Sequence, residues 1–282
     1  MNWSWHHAAV TDQEARYDRI AEGYATWWSP VHRAATLALL DELDADVRAG
    51  ASRLLDVGCG TGAFAAAAVT RWPGVVVDAV DASTGMLRVA ERERAALPRQ
   101  AADRIRLRQG YADRIPLEEA ALDLVASAFV LQLVPSRFRA LREMRRVLRP
   151  GGRLAYVTWL RGGSPFAADD AFDEALVAVG LEANVRGDGH DDLASPAAAV
   201  AQLRRAGFVD AGARGTELVH RFTPEGFLAF LASFDEEDRF AALDAGLRSA
   251  LERELLARLR ALPPDGLRLA LPIVYATGRR AS

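Results

Sequence analysis

Residues 54–64 read LLDVGCGTGAF, and the way this stretch is parsed decides the fold. Two leucines, a carboxylate and a valine lead into glycines at alternate positions. Gly58, Gly60 and Gly62 form G-x-G-x-G, whereas Gly58, Gly60 and Ala63 satisfy the G-x-G-x-x-G/A pattern of a dinucleotide-binding turn. Within these residues the two parses are equivalent. In both, an apolar strand ends at a turn whose backbone can approach a small molecule without Cβ interference, and Gly62 leaves room where the next helix begins.

On either side of this turn the pattern is regular. From Thr11 to Gly50 apolar positions recur at three- and four-residue spacing, which predicts two helices with a break at Ser29-Pro30. Beyond the turn the spacing predicts strand 52–57, helix 62–72, strand 75–80, helix 84–97, strands 104–109 and 122–127, helix 136–148 and strand 152–158. Short apolar strands alternating with amphipathic helices imply a parallel, doubly wound α/β sheet that binds ligands at the carboxyl ends of its strands. After Trp159 the alternation stops. A helix opened by Ser195 and Pro196, a strand at 213–222, helices near 224–232 and 238–262, and a last strand near 268–277 are expected. Pro272 lacks an N–H, so that strand is surest at 273–277.

The composition narrows the function classes. A chain of 282 residues with net charge −3 lacks the clustered positive surplus that phosphate backbones require, so no nucleic-acid partner is expected. A single cysteine, Cys59, excludes an internal disulfide framework and any multi-cysteine metal site, and a reducing cytoplasm suits it best. No apolar run approaches the roughly 20 residues that span a bilayer, and the first residues lack the pattern of a signal peptide. No metal is expected, and the assembly state is left as monomer or homodimer.

Three carboxylates sharpen the reading. Asp56 ends the first strand, Asp81 ends the second, and Asp113 stands just past the third, so in a parallel sheet they share one rim. Such a groove suits a cationic ligand with hydroxyls and an exocyclic amine better than a pyrophosphate. Asp81 falls where a ribose-diol acceptor is expected under either parse. Taken singly, Asp56 also reads as a helix cap and Asp113 as a solvated loop charge; their shared placement favours a ligand site.

With these residues in view, the chain resembles the class I S-adenosylmethionine-dependent methyltransferases, in particular the small-molecule group related to the quinone-pathway enzymes. The matching pieces run in order: LLDVGCGTGAF, VVVDAVDASTGMLRVAERE (75–93), RIRLRQGYADRIPLEEAALDLVASAFVLQLV (104–134) and REMRRVLRPGGRLAYVTW (142–159), with IVYATGRR (273–280) resembling the family's last strand. The resemblance implies a Rossmann-like, seven-stranded, mostly parallel sheet with an antiparallel last strand beside the fifth, plus a helical cap. It implies four regions: N-terminal helices at 1–50 acting as cofactor lid and substrate side, a cofactor-binding core at 51–159, a cap insertion at 160–206, and a part at 207–282 that completes the sheet and adds helices to the cap.

The resemblance also implies S-adenosylmethionine as cofactor and methyl transfer to a small organic molecule. Asp56 and the backbone around Gly58 and Gly60 would face the methionine amino group, and Asp81 the ribose hydroxyls. Met86 would pack on the adenine, with Ala112 and Asp113 at its edge. Phe129 would lie under the sulfonium, and Tyr17 and Tyr24 of YDRIAEGY would close over the methionine part. Met86 and Phe129 also read as plain core side chains. Two departures stand out: Tyr111 occupies a position where relatives often carry Asp, and Leu131-Gln132-Leu133 stands where many carry a histidine pair. No general base is therefore marked, and His190, His32 and Tyr17 are the candidates. Trp28, Gln132 and Trp159 are the candidates on the substrate side. Two other readings stay open: a protein that binds the cofactor without transferring its methyl group, and a nicotinamide-dependent oxidoreductase.

Overall fold

Leu54, Leu55 and Val57 are buried, as a strand covered on both faces requires, and the chain builds outward from them. In the computed structural model, which describes residues 10–183 and 192–282, they belong to β1 (Arg53–Val57). β1 pairs in parallel with β2 (Val76–Asp81) on one side and with β4 (Leu122–Ala128) on the other. β3 (Ile105–Gln109) extends the sheet beyond β2, and β5 (Leu148–Trp159) extends it beyond β4. β7 (Arg268–Arg280) lies antiparallel between β5 and β6 (Phe208–Arg221). The order is β3-β2-β1-β4-β5-β7-β6, the expected doubly wound sheet with its antiparallel strand beside the fifth. The order reverses between β1 and β4, the place where such sheets open a crevice for ligands.

Side chains alternate between two apolar clusters. Leu54, Val77 and Leu124 face one cluster, and Leu55, Val80 and Val125 face the other, so each sheet face carries its own core. The first core takes in α2 (Ser29–Leu37), α3 (Leu39–Arg48), α4 (Ala63–Arg71) and the C-terminal helices α8 (Ala167–Ala178), α10 (Pro224–Phe230), α11 (Glu237–Ala242) and α12 (Ala245–Ala261). The second is covered by α7 (Arg137–Val147) and α9 (Pro196–Arg205). α5 (Thr84–Ala95) follows β2, the short α6 (Arg99–Ala102) leads to β3, and α1 (Val10–Gly23) packs on α5.

Several expectations are corrected. Ser195 does cap α9, accepting from the Ala198 N–H, but this helix is not part of a cap: Ala199 and Leu203 are buried against β6 and β7. The expected break at Ser29-Pro30 is instead a π-helical turn, Tyr24–Trp28, running directly into α2 with Pro30 in its first turn. Proline has no N–H to give to the preceding turn, and a wider turn accommodates that loss. A second π-helical turn, Leu231–Asp235, follows α10. The single helix expected at 238–262 is divided, because Asp244 accepts from the Leu247 N–H and starts α12 afresh. β6 begins at Phe208, with a bulge between Val209 and Gly212. β7 pairs with β6 straight through Pro272, whose carbonyl accepts from Leu160 N–H; its missing donor therefore faces the β5 side, where pairing stops at Ile273. No helix among the described residues is long and apolar enough to cross a membrane.

Candidate active site

The turn after β1 is stitched to the end of β2. Gly58 and Cys59 both donate to the Val80 carbonyl, at 2.7 and 3.0 Å, and the Gly60 N–H donates to Asp81 Oδ2 at 2.8 Å. Gly58 and Gly60 have φ of +67° and +51°, a region that L side chains rarely adopt. A Cβ at Gly58 would lie 2.2 Å from Val130 Cγ2, so this glycine is also required by the loop after β4. A Cβ at Gly60 would meet nothing within 4 Å, because it faces open space.

That space is a cavity across the carboxyl ends of β1 to β4. It is lined by Asp81, Ala112, Asp113 and Met86, by Gly58 and Gly60 of the glycine turn, and by Phe129. Gln13, Glu14, Tyr17 and Tyr24 cover it from the N-terminal segment. A second, smaller cavity lined by Asp56, Arg33, His32 and Ser29 meets the first at Tyr24, Gly58, Gly60 and Ala128.

Asp56 is the penultimate residue of β1 and faces alanines on both neighbouring strands, Ala79 and Ala126. Burial, then the nearby Asp81 charge, push its carboxyl up to about 8, while the Ala65 N–H at the start of α4 acts in the opposite direction. Oδ2 is buried with no hydrogen-bond partner. Asp81 Oδ1 accepts from the Ser83 N–H at 2.9 Å, and burial raises this carboxyl above its ordinary value despite its backbone donors.

Phe129 has φ of +56°, a strained conformation for a residue with a side chain. It is held there by its N–H to Val157 O at 2.8 Å and by Gln132 Nε2, which donates to the Phe129 carbonyl at 2.6 Å; Gln132 Oε1 in turn accepts from Thr158 Oγ1 at 2.7 Å. The Gln132 amide is thus engaged in this buried brace and lines neither cavity. Trp28 and Trp159 also line neither; their rings pack 6.4 Å apart, and Trp159 lies 4.3 Å from the Phe129 ring. His190 lies outside the described residues. His32 is buried and desolvation lowers it to about 4, so it is a neutral hydrogen-bonding group across the physiological range and is poorly matched to general-base work there. Burial pushes the Tyr17 phenol up to about 12.

Sequence reasoning missed several residues at the site. Arg33, at the mouth of the second cavity, carries no local signal beyond being one arginine among many. Glu14, Asp18 and Glu22 form an acidic series at four-residue spacing, a pattern that marks one helix face and could have been noticed. Val130, Leu133 and Pro135 enter only because the loop after β4 folds over the rim.

The residues present fit S-adenosylmethionine. The unpartnered Asp56 Oδ2 suits the cofactor's ammonium group, Arg33 its carboxylate, Asp81 the diol and Asp113 an exocyclic amine. Among the described residues lining the first cavity, every formal charge is negative, from Glu14, Asp81 and Asp113, which opposes a pyrophosphate. No group of three or more potential ligands that could hold a metal occurs among the described residues.

Several known proteins are similar to this chain in sequence or in fold. A family model described as a methyltransferase domain matches residues 55–156. The chain is 39% identical over 108 residues to a malonyl-[acyl-carrier protein] O-methyltransferase of Methylococcus capsulatus, 38% of each chain. It is 30% identical over 177 residues to the ubiquinone/menaquinone biosynthesis C-methyltransferase UbiE of Hahella chejuensis, covering 59% of this chain and 69% of that one. Other curated relatives are matched over only 26% to 65% of their own length. The crystal structure of the YcgJ protein from Bacillus shares the fold, with a TM-score of 0.53 at 18% identity, over 82% of this chain and 93% of that one. Motif order, sheet topology and the UbiE match agree: the chain belongs to the class I S-adenosylmethionine-dependent methyltransferases.

Proposed function

We propose that this protein transfers a methyl group from S-adenosylmethionine to a small organic acceptor. The observation that carries the reading is the charge pattern of the adjoining cavities: Glu14, Asp81 and Asp113 line the first, while the second is lined by Arg33 and by Asp56, whose Oδ2 has no hydrogen-bond partner.

The cofactor, when bound, supplies a methyl group already activated by the positive charge on sulfur. The chain's own residues bind and orient. Asp56 and Arg33 would hold the amino-acid end, Asp81 the diol, and Met86 with Ala112 and Asp113 the base. Tyr17 and Tyr24 cover the site and exclude water, which strengthens each polar contact beneath them. Phe129, fixed by the Gln132 brace, sets the wall on the Trp159 side. Holding two reactants in line supplies several kcal/mol of a displacement barrier, which is the main demand such a transfer makes on a protein.

The acceptor would be admitted between the N-terminal helices and the aromatic side chains of the C-terminal ones. Relatives named for C- and for O-methylation both match part of this chain, which fits an acceptor atom set by this second half rather than by the cofactor residues.

Calorimetric titration with S-adenosylmethionine, S-adenosylhomocysteine and NAD tests the reading. Binding of the first two without NAD supports it, and binding of NAD alone would overturn it. Incubation with methyl-labelled S-adenosylmethionine and a small-molecule extract should then yield a labelled product. Cofactor binding without label transfer would leave a binding protein only.

A further inference from the structure

We propose that the Tyr24 hydroxyl oxygen presents its lone pairs to the cationic centre of the cofactor, and that His32 is the positioning residue that turns them that way. The assignment rests on the reading of the joined cavities as an S-adenosylmethionine site.

Four residues line both cavities: Tyr24, Gly58, Gly60 and Ala128. With the diol end of the cofactor in the first cavity and its amino-acid end in the second, the sulfur between them belongs at this junction. Two of the four residues are glycines and one is alanine, so Tyr24 contributes the only polar side chain common to both cavities.

The direction of that hydroxyl is set from behind. Tyr24 Oη lies 2.7 Å from His32 Nε2, and His32 Nδ1 lies 3.3 Å from Thr36 Oγ1. Burial keeps the phenol protonated, far above its ordinary range, and keeps the imidazole neutral. One nitrogen of a neutral imidazole accepts and the other donates. We assign Nε2 as the acceptor of the phenol proton and Nδ1–H as the donor to Thr36, because this pairs the more acidic O–H with the more basic nitrogen. The phenol oxygen then faces the junction with lone pairs alone.

The surroundings favour this arrangement. Around His32 stand Trp28 at 5.8 Å between ring centroids and Phe129 at 5.1 Å, aromatic neighbours that keep the imidazole out of water. The charged groups nearby are Arg33 and Asp56 in the second cavity and Asp81 in the first. An oxygen aimed this way attracts a sulfonium and the polarised C–H bonds beside it, and loses that attraction when the sulfur is neutral. It therefore distinguishes the charged methyl donor from the spent thioether.

Calorimetry on the full chain tests the assignment without an acceptor. The probes are S-adenosylmethionine, S-adenosylhomocysteine with its neutral sulfur, and sinefungin, which carries an ammonium N–H donor at the equivalent place. Tyr24→Phe should weaken sinefungin about tenfold, as expected for a lost hydrogen bond to a charged group, and S-adenosylmethionine several-fold, with S-adenosylhomocysteine changed less than about twofold. His32→Leu should reproduce that selective loss, whereas His32→Gln, whose amide oxygen can accept the phenol proton, should retain wild-type selectivity. Equal losses for all three probes in Tyr24→Phe, or none, would overturn the assignment alone. Unchanged selectivity in His32→Leu would remove the role of His32. Failure of the wild type to bind any of the three would overturn the underlying reading and this assignment with it.

Discussion

The Asp18 carboxylate accepts the Gly85 N–H at 2.7 Å, joining the helix that precedes the sheet to the start of the helix that follows β2. The same oxygen accepts from the Ser83 hydroxyl at 2.6 Å, and these two bonds hold the carboxyl below its ordinary range. One turn earlier Glu14 accepts from the Tyr111 hydroxyl at 2.7 Å, and one turn later Glu22 pairs with Arg92. Residues 14, 18 and 22 thus form one stripe of α1 that fastens it beside the first cavity. Tyr111, a departure from the family pattern, has a place here as the hydrogen-bond partner of α1.

Gly85 should be intolerant of a methyl group. A Cβ there would lie 2.6 Å from the Asp18 carbonyl oxygen, so Gly85→Ala must push α1 away. In an unpacked helix the same change would stabilise by about 1 kcal/mol, which gives the test a clear sign. Hydrogen exchange across residues 10–23 should quicken and S-adenosylmethionine affinity fall about tenfold. Unchanged exchange would mean that α1 is not held by this contact.

Asp56 should make both stability and binding depend on pH. Its carboxyl sits near 8 in the folded protein against an ordinary 3.8, so the stability it contributes is present below about 4 and lost as pH rises toward about 8. Asp56→Asn lacks this loss, and its melting temperature should gain on the wild type between pH 5 and pH 8.5. At pH 7 the wild-type carboxyl is largely protonated, so binding an ammonium group should release up to one proton. Titrations in phosphate and Tris buffers should differ in apparent enthalpy for the wild type and agree for Asp56→Asn.

Asp81→Ala should weaken S-adenosylmethionine by about 10- to 100-fold, the cost of losing a charged acceptor. Because Asp81 also accepts from Gly60 and Ser83 N–H groups, the glycine turn should loosen as well. Asp81→Asn, which keeps one acceptor oxygen, should fall between the two. Equal affinity of Asp81→Ala and wild type would place the diol elsewhere.

Arg33→Met should discriminate between ligands that have and lack the amino-acid end. S-adenosylhomocysteine should bind about tenfold more weakly, as for a partly exposed charge-assisted bond. Methylthioadenosine, which carries no carboxylate, should bind with unchanged affinity. Equal effects on both would show that Arg33 acts through the fold.

Much of the core was legible because its signals are local. Apolar runs ending in Asp56 and Asp81 have the period and length of buried strands, and glycines at alternate positions have few uses other than a tight turn. The regions that went astray lack such signals. Ser195 announced a helix start, but which surface that helix covers depends on β6 and β7, strands far along the chain. The π-helical turns at Tyr24–Trp28 and Leu231–Asp235 have α-helical periodicity on either side, and only the wider hydrogen bonding within each turn distinguishes them.

What the sequence by itself determined is therefore the sheet half of the candidate site: strand, turn and helix in a repeating order, with Asp56 and Asp81 in the ends of β1 and β2 and Asp113 just past β3. Tertiary structure decided how that half is closed and charged. Asp18 reaching the Gly85 N–H, His32 reaching the Tyr24 hydroxyl and Gln132 bracing the Phe129 carbonyl are side-chain contacts to groups on different elements or within a non-repeating loop. The physical reason is range: a strand end is specified by its immediate neighbours, whereas the state of a buried carboxyl, imidazole or phenol is set by whatever the fold brings within a few ångströms of it.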